Sequence, residues 1–230
     1  MNKKFYITTS IAYVNAPPHI GFAQELIQAD VIARYHRLSG EDVFFLTGTD
    51  DHGIKVGRTA RENGKTPKEF TDEISEKFIS LKQALNLSND YFIRTSDQAK
   101  HWPTVKKIWL QLKENGDLYK KKYKGFYCVG CESFIKENDL VLGKCLIHQK
   151  EPEIIEEENY FFRLSKYQKF LENLISSDEL KIFPQIRKNE ALTFIRKGLA
   201  DFSISRSKER AKGWGVPVPE DPGQIIYVWF

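Results

Sequence analysis

The 230-residue chain is 41% hydrophobic, 13% aromatic and 29% charged, with 14 Gly and 9 Pro. It can bury at least one sizeable core, and it is not collagen-like, low-complexity or disordered. Its 35 Lys and Arg against 31 Asp and Glu leave a formal charge of +4, which permits nucleic-acid contact without demanding it. No stretch approaches the roughly 18 apolar residues that span a bilayer, and the apolar run near the start is too short for a secretory signal. A cytoplasmic protein without membrane attachment is expected, and the oligomeric state is not readable. Three cysteines, an odd count, cannot all close disulfides and read first as metal ligands.

In chain order, residues 4–11 are β-branched and aromatic and predict a strand, while Asn15, Pro17 and Pro18 predict loop over 12–19. Leu26, Ile27, Val31, Ile32, Tyr35 and Leu38 share one face of a helix over 22–38, closed by Ser39 and Gly40. Val43 to Leu46 is a short apolar run of the kind buried on both faces of a parallel sheet, completing a βαβ unit. Thr66 with Glu69 forms a capping box, with Pro67 at the first helical position and Phe70, Ile74, Phe78, Leu81 and Leu85 on one face. A third helix is predicted from Ser96 or Asp97 to Glu114, with Trp102, Val105, Ile108, Trp109 and Leu112 inward and Pro103 in its first turn or at a kink.

From Asp117 the texture changes to lysines, a cysteine segment and the acidic run 151–158, in short strand-like pieces that suggest an inserted or second module. Ser165 with Gln168 is predicted to cap a helix through Ile175, and another runs from Gln185 to Lys197 before Gly198. The chain stops on the strand-like run 225–230, which suggests a fragment of a longer protein.

Ligands of open parallel sheets bind beyond the carboxyl ends of the strands. Two loops are predicted there, 13–21 and 47–53. Neither carries the glycine fingerprint of a dinucleotide-binding fold or a P-loop. Pro18-His19-Ile20-Gly21 precedes a helix N-terminus, where free N–H groups favour an anion and His19 can donate to phosphate; a helix-capping histidine is the plainer alternative. In Asp50-Asp51-His52, a metal site, one carboxylate pairing with an ammonium group, and a capped turn all remain open. Cys128 and Cys131, thirteen residues, then Cys145 and His148 can place three thiolates and one imidazole tetrahedrally around Zn²⁺, a closed structural site. Lys120 to Lys124, interleaved with Tyr119, Tyr123, Phe126 and Tyr127, fits either a nucleic-acid backbone or a solvated charged face.

Together the motifs resemble the class I aminoacyl-tRNA synthetases, and among them the methionyl family. The resemblance rests on 5–9, 13–21, 46–53, the Cys128–His148 knuckle, 158–165, 203–206, 214–219 and 227–230, all in order, and covers essentially the whole chain. It implies an α/β, Rossmann-like parallel-sheet fold interrupted by a zinc-knuckle connective domain and truncated at its C-terminus. Residues 1–116 would be the first half of the catalytic domain, 117–222 the insertion, and 223–230 the start of the second half. The implied activity is methionine–tRNA ligation: L-methionine and ATP, carried with Mg²⁺, give methionyl-adenylate, and the methionyl group passes to tRNA(Met).

By the same resemblance, Pro18, His19, Gly21 and Phe22 would bind ATP, with Phe22 standing where the family has a second histidine. Ser10, Ile11 and Tyr13 would form the methionine pocket, Asp50 would hold the ammonium, Trp229 would wall the thioether, and Arg206 would orient Asp50. The catalytic set would be His19, Gly21 and Arg206. The family's second, lysine-serine loop is absent. A non-catalytic zinc-knuckle paralogue that binds tRNA or other RNA is the alternative, argued from Phe22 and the missing half; another class I synthetase, for an aliphatic amino acid, fits the knuckle and Trp229 less well.

Overall fold

The computed structural model describes residues 3–131, 133–135 and 137–230. Its first part is a four-stranded parallel sheet centred on β3 (Asp42–Asp50). Strand β1 (Lys4–Thr8) runs beside it from Lys4 opposite Asp42 to Thr8 opposite Leu46, and β2 (Ala12–Tyr13) pairs with its end, Tyr13 opposite Asp50. Strand β4 (Tyr91–Arg94) also pairs with it in parallel. The close β3–β4 approach depends on Gly48, where a Cβ would meet the Ile93 carbonyl oxygen at 2.1 Å.

The expected βαβ unit is present, with different limits. β1 ends at Thr8, the predicted loop contains β2, and β3 continues past Leu46 to Asp50. The crossover helix is α1 (Ile20–Leu38). It buries Leu26, Ala29, Asp30 and Ala33, whereas Val31, Tyr35 and Leu38 of the predicted face are exposed. The inward turn is fixed by small residues against Phe45 and by Asp30, whose carboxylate accepts from Arg34 and from the Ser88 N–H and hydroxyl; a rule that counts large apolar residues passes over both.

Two elements lie outside the sequence reading: the short α2 (Ile54–Glu62) and β4. Helix α3 (Pro67–Ile79) begins with the predicted capping box, Thr66 and Glu69 capping each other. It stops at Ile79, and Leu81 opens a separate turn, α4 (Leu81–Ala84). Val14, Val56, Ala60, Phe70, Ile74 and Phe78 form the core beneath the loop preceding α1. Helix α5 (Trp102–Glu114) starts later than predicted, because Asp97 accepts from the Ala99 and Lys100 N–H groups and so caps a separate turn. Trp109 is buried, but Ile108 is exposed.

From Leu118 the pairing becomes antiparallel, and the pieces are longer than the texture suggested. β5 (Leu118–Cys128) lies against β9 (Glu153–Phe162) over ten residue pairs, flanked by β6 (Ser133–Ile135) and by β10 (Phe202–Ser203); the small pair β7 (Leu140–Val141) and β8 (Lys144–Cys145) holds part of the cysteine segment. Helices α6 (Gln168–Ser176) and α7 (Gln185–Arg196) pack through Ile175, Leu192, Ile195 and Leu199.

The Ser165–Gln168 box does not form. The Ser165 hydroxyl donates to Asp201, and Gln168 accepts from the Leu199 N–H, so both side chains tie the hairpin to its return strand. β11 (Ser205–Ser207), β12 (Pro217–Val218) and β13 (Asp221–Ile226) complete a three-stranded antiparallel sheet. The predicted terminal strand therefore ends at Ile226, and residues 227–230 turn back, with the Phe230 N–H donating to the Tyr227 carbonyl.

Candidate functional site

The carboxyl ends of β1 and β3 present two neighbouring features. His19 is the N-cap of α1: its backbone is extended, and its Nδ1 accepts the Gly21 N–H at 3.1 Å. A Cβ on Gly21 would stand 3.0 Å from that ring, so glycine lets the imidazole fold over the helix end. No acidic residue occupies the first turn, leaving a positive helix terminus. The adjoining cleft, about 450 Å³, is lined by Tyr13, Pro18, His19, Gly21, Phe22 and Glu25 among others. Phe22 faces Phe78 edge-on, with centroids 5.1 Å apart. Ser10 lies against the same helix, its N–H and hydroxyl donating to Glu25 at 2.7 and 2.8 Å, and Ile11 next to it is half-buried.

Asp50 and Asp51 have different surroundings. Asp51 is fully buried; its carboxylate pairs with Arg94 Nε at 2.8 Å and accepts from Ser75 and Ser96. Arg94 also holds Asp72 of α3 at 2.7 Å. Asp50, opposite Tyr13, accepts from the His52 N–H at 3.3 Å and the Thr95 hydroxyl at 3.4 Å. His52 is 2% exposed, lies between Trp102 and Trp214, and has no partner for its Nε2. Burial, aided by the neighbouring His101, lowers its pKa to about 3, so the ring is neutral.

Arg206 is buried on β11, where its guanidinium donates to the Ser203 hydroxyl at 3.0 Å and the Ser205 carbonyl at 2.7 Å and lies 4.3 Å from the Tyr227 ring centre. Burial pushes its pKa down. Arg206, His52, Trp214 and Tyr227 share one small cavity. Trp229 is 66% exposed and stacks beside Tyr227; it does not line the Tyr13–Phe22 cleft. Of the site residues read from the sequence, five meet in that cleft, Ser10 and Asp50 border it through Glu25 and Tyr13, and Arg206 and Trp229 do not line it.

Among the described residues, one group can hold a metal ion: Cys128, Cys131, Cys145 and His148, whose ligand atoms lie within 4.8 Å of one another. Sγ of Cys131 is 3.6 Å from that of Cys145, and His148 Nδ1 is 3.7, 3.2 and 3.8 Å from the sulfurs of Cys128, Cys131 and Cys145. Bonds of about 2.3 Å to sulfur and about 2.0 Å to nitrogen give tetrahedral edges of roughly 3.5–3.8 Å, so the donors fit. Gly130 is required because a Cβ there would meet the His148 ring at 2.4 Å. Burial raises the Cys131 thiol to about 12, whereas hydrogen bonding from His148 lowers Cys145 to about 6. The lysine strip before the knuckle faces acids: Lys124 opposes Glu156, Lys122 opposes Glu158, and Lys120 pairs with Asp221 at 2.7 Å.

Sequence reasoning missed Arg94, Glu25 and Trp214. Their partners lie 43, 15 and 163 residues away, beyond any local pattern.

A parallel sheet with a histidine-capped helix at its carboxyl edge and an interrupting metal knuckle defines the class I aminoacyl-tRNA synthetase fold. The family described as tRNA synthetases class I (M) matches residues 5–145 and 135–230, and the chain belongs to it. It is 50% identical to a methionine–tRNA ligase of Thermotoga maritima over 98% of its length, and 46% identical to the chloroplastic/mitochondrial one of Arabidopsis thaliana over 98%; in each case it covers 36% of the relative. Mycobacterium tuberculosis methionyl-tRNA synthetase in complex with methionyl-adenylate superposes with a TM-score of 0.92 at 42% identity, over 99% of this chain and 45% of that one. The chain thus spans about a third to under half the length of the proteins it matches.

Proposed function

We propose that this chain is part of a methionine–tRNA ligase, which activates L-methionine with ATP to methionyl-adenylate and pyrophosphate and passes the methionyl group to tRNA(Met). The observation that carries this is the Asp50–Tyr13 strand end beside the His19-capped helix, in a chain up to 50% identical to methionine–tRNA ligases. Asp50 holds the substrate ammonium, a charge-assisted contact. Ser10, Ile11 and Tyr13 shape the pocket and Trp229 covers the thioether, a soft partner for an aromatic ring. Pro18, His19, Gly21 and Phe22 form the phosphate edge. There the α1 N–H groups and the free face of His19 offset negative charge as the methionine carboxylate attacks the α-phosphorus and pyrophosphate departs. Arg206, set back among Tyr227, Ser203 and Ser205, orients Asp50.

Cys128, Cys131, Cys145 and His148 would hold Zn²⁺ with four protein ligands, a structural contribution; Mg²⁺ would accompany ATP. Residues 1–116 form the first half of the catalytic domain, 117–222 the connective insertion and 223–230 the return. No helix among the described residues is long and apolar enough to cross a membrane. Phe22, packed on Phe78, is the observation favouring the second reading, a non-catalytic RNA-binding paralogue. Calorimetry with non-hydrolysable aminoacyl-adenylate analogues separates them. The ligase reading expects the methionyl analogue to bind at least tenfold tighter than the leucyl one, and equal or undetectable binding of both in a folded, zinc-loaded sample contradicts it.

A further inference from the structure

We propose that Trp214 is a positioning residue for Asp50, a clamp by which the second module fixes the ammonium-binding carboxylate; this rests on the ligase reading above. Asp50 closes β3, and the turn after it would be mobile unless tied down. Several ties are internal to the first module: the Thr95 hydroxyl accepts the Asp51 N–H at 2.8 Å and also reaches Asp50 Oδ1, and Arg94, Ser75 and Ser96 hold the Asp51 carboxylate. A further one crosses the molecule. Trp214 Nε1 donates to the Asp51 backbone carbonyl at 2.7 Å, over 163 residues of sequence, while its ring stands edge-on to His52 at 5.2 Å.

Trp214 itself is held from below. Its N–H donates to the Ala211 carbonyl, and the following Gly215 has a φ of +144° and packs so closely on Ile225 that a Cβ would meet that side chain at 2.3 Å. Ile225 is the cross-strand partner of Arg206. The indole therefore links the Asp50 turn to the sheet carrying Arg206 and leading into Tyr227 and Trp229, so the two sides of the substrate site keep a fixed spacing. A carboxylate aimed at an ammonium loses much of its value when displaced by an ångström, which makes the link a determinant of substrate affinity.

The test replaces the hydrogen bond and keeps the ring: Trp214→Phe, and, should that variant not fold, β-(3-benzothienyl)alanine at position 214, which has the indole shape without the N–H. Two readouts are taken on the whole chain, amide hydrogen exchange and L-methionine affinity by calorimetry. Exchange at residues 50–53 should rise about tenfold with α3 and the knuckle unchanged, and methionine should bind about tenfold more weakly. Unchanged exchange at 50–53, a rise spread over the whole chain, or intact methionine affinity despite faster exchange would each overturn the proposal. Native chain that binds no methionine instead contradicts the pocket reading, and the exchange result still decides whether Trp214 holds the turn.

Discussion

Adjacent residues of one type can serve opposite ends. Asp51 is enclosed and neutralised by Arg94, whereas Asp50, next to it, ends a strand beside the cleft. No property of the dipeptide distinguishes them, and only the register with β2 and the arrival of Arg94 on β4 give the two carboxylates their different surroundings. His52 adds a measurable consequence. Its folded pKa, about 3, lies below the ordinary histidine value of 6.5, so the unfolded chain takes up a proton that the folded chain refuses. Above about pH 6.5 no penalty exists. Below it stability should fall by up to roughly 1.4 kcal/mol per pH unit from this group. Urea unfolding at pH 7 and pH 5 should show that loss, and a His52→Phe variant that still folds should lose less; an identical pH dependence in the two proteins would show that His52 is not the group responsible.

Among the elements, those legible in the sequence close over short distances. The Thr66–Glu69 box spans three residues and the two halves of the knuckle three each, so composition and spacing identify them. The buried face of α1 was misread because its packing uses Ala29, Ala33 and a satisfied Asp30 in place of large side chains. Strand β4 is only four residues long, though Tyr91, Phe92 and Ile93 are apolar, and helix α2 carries few apolar residues, so neither announces itself. Strand β5 reads as a short strand-like piece with a basic strip, for nucleic acid or solvent, until β9 supplies its acidic partners. The knuckle makes the sharpest prediction at this scale. Cys131→Ser should cut bound zinc from one equivalent per chain to a small fraction and unfold the segment locally. Gly130→Ala should weaken zinc by displacing His148 without touching a ligand atom. Zinc analysis after dialysis checks both, and full occupancy in Cys131→Ser would sink the four-ligand site.

At the scale of the whole molecule, parallel sheets bury both faces, yet Tyr6 and Phe44 are exposed on this one, and Val31, Tyr35 and Leu38 are exposed on α1. The chain also spans only 36% of the Thermotoga maritima relative. The central claim is that the residues present here, with Asp50 at their centre, already recognise methionine. Calorimetric titration of L-methionine into the zinc-loaded chain and its Asp50→Ala variant, with leucine and homocysteine as controls, tests it most directly. The account predicts selective methionine binding, weakened 10-fold to 100-fold or more in Asp50→Ala, as loss of a charge-assisted pair worth about 1.5–3 kcal/mol implies. Equal affinity in the two proteins, or no preference over leucine, would contradict it.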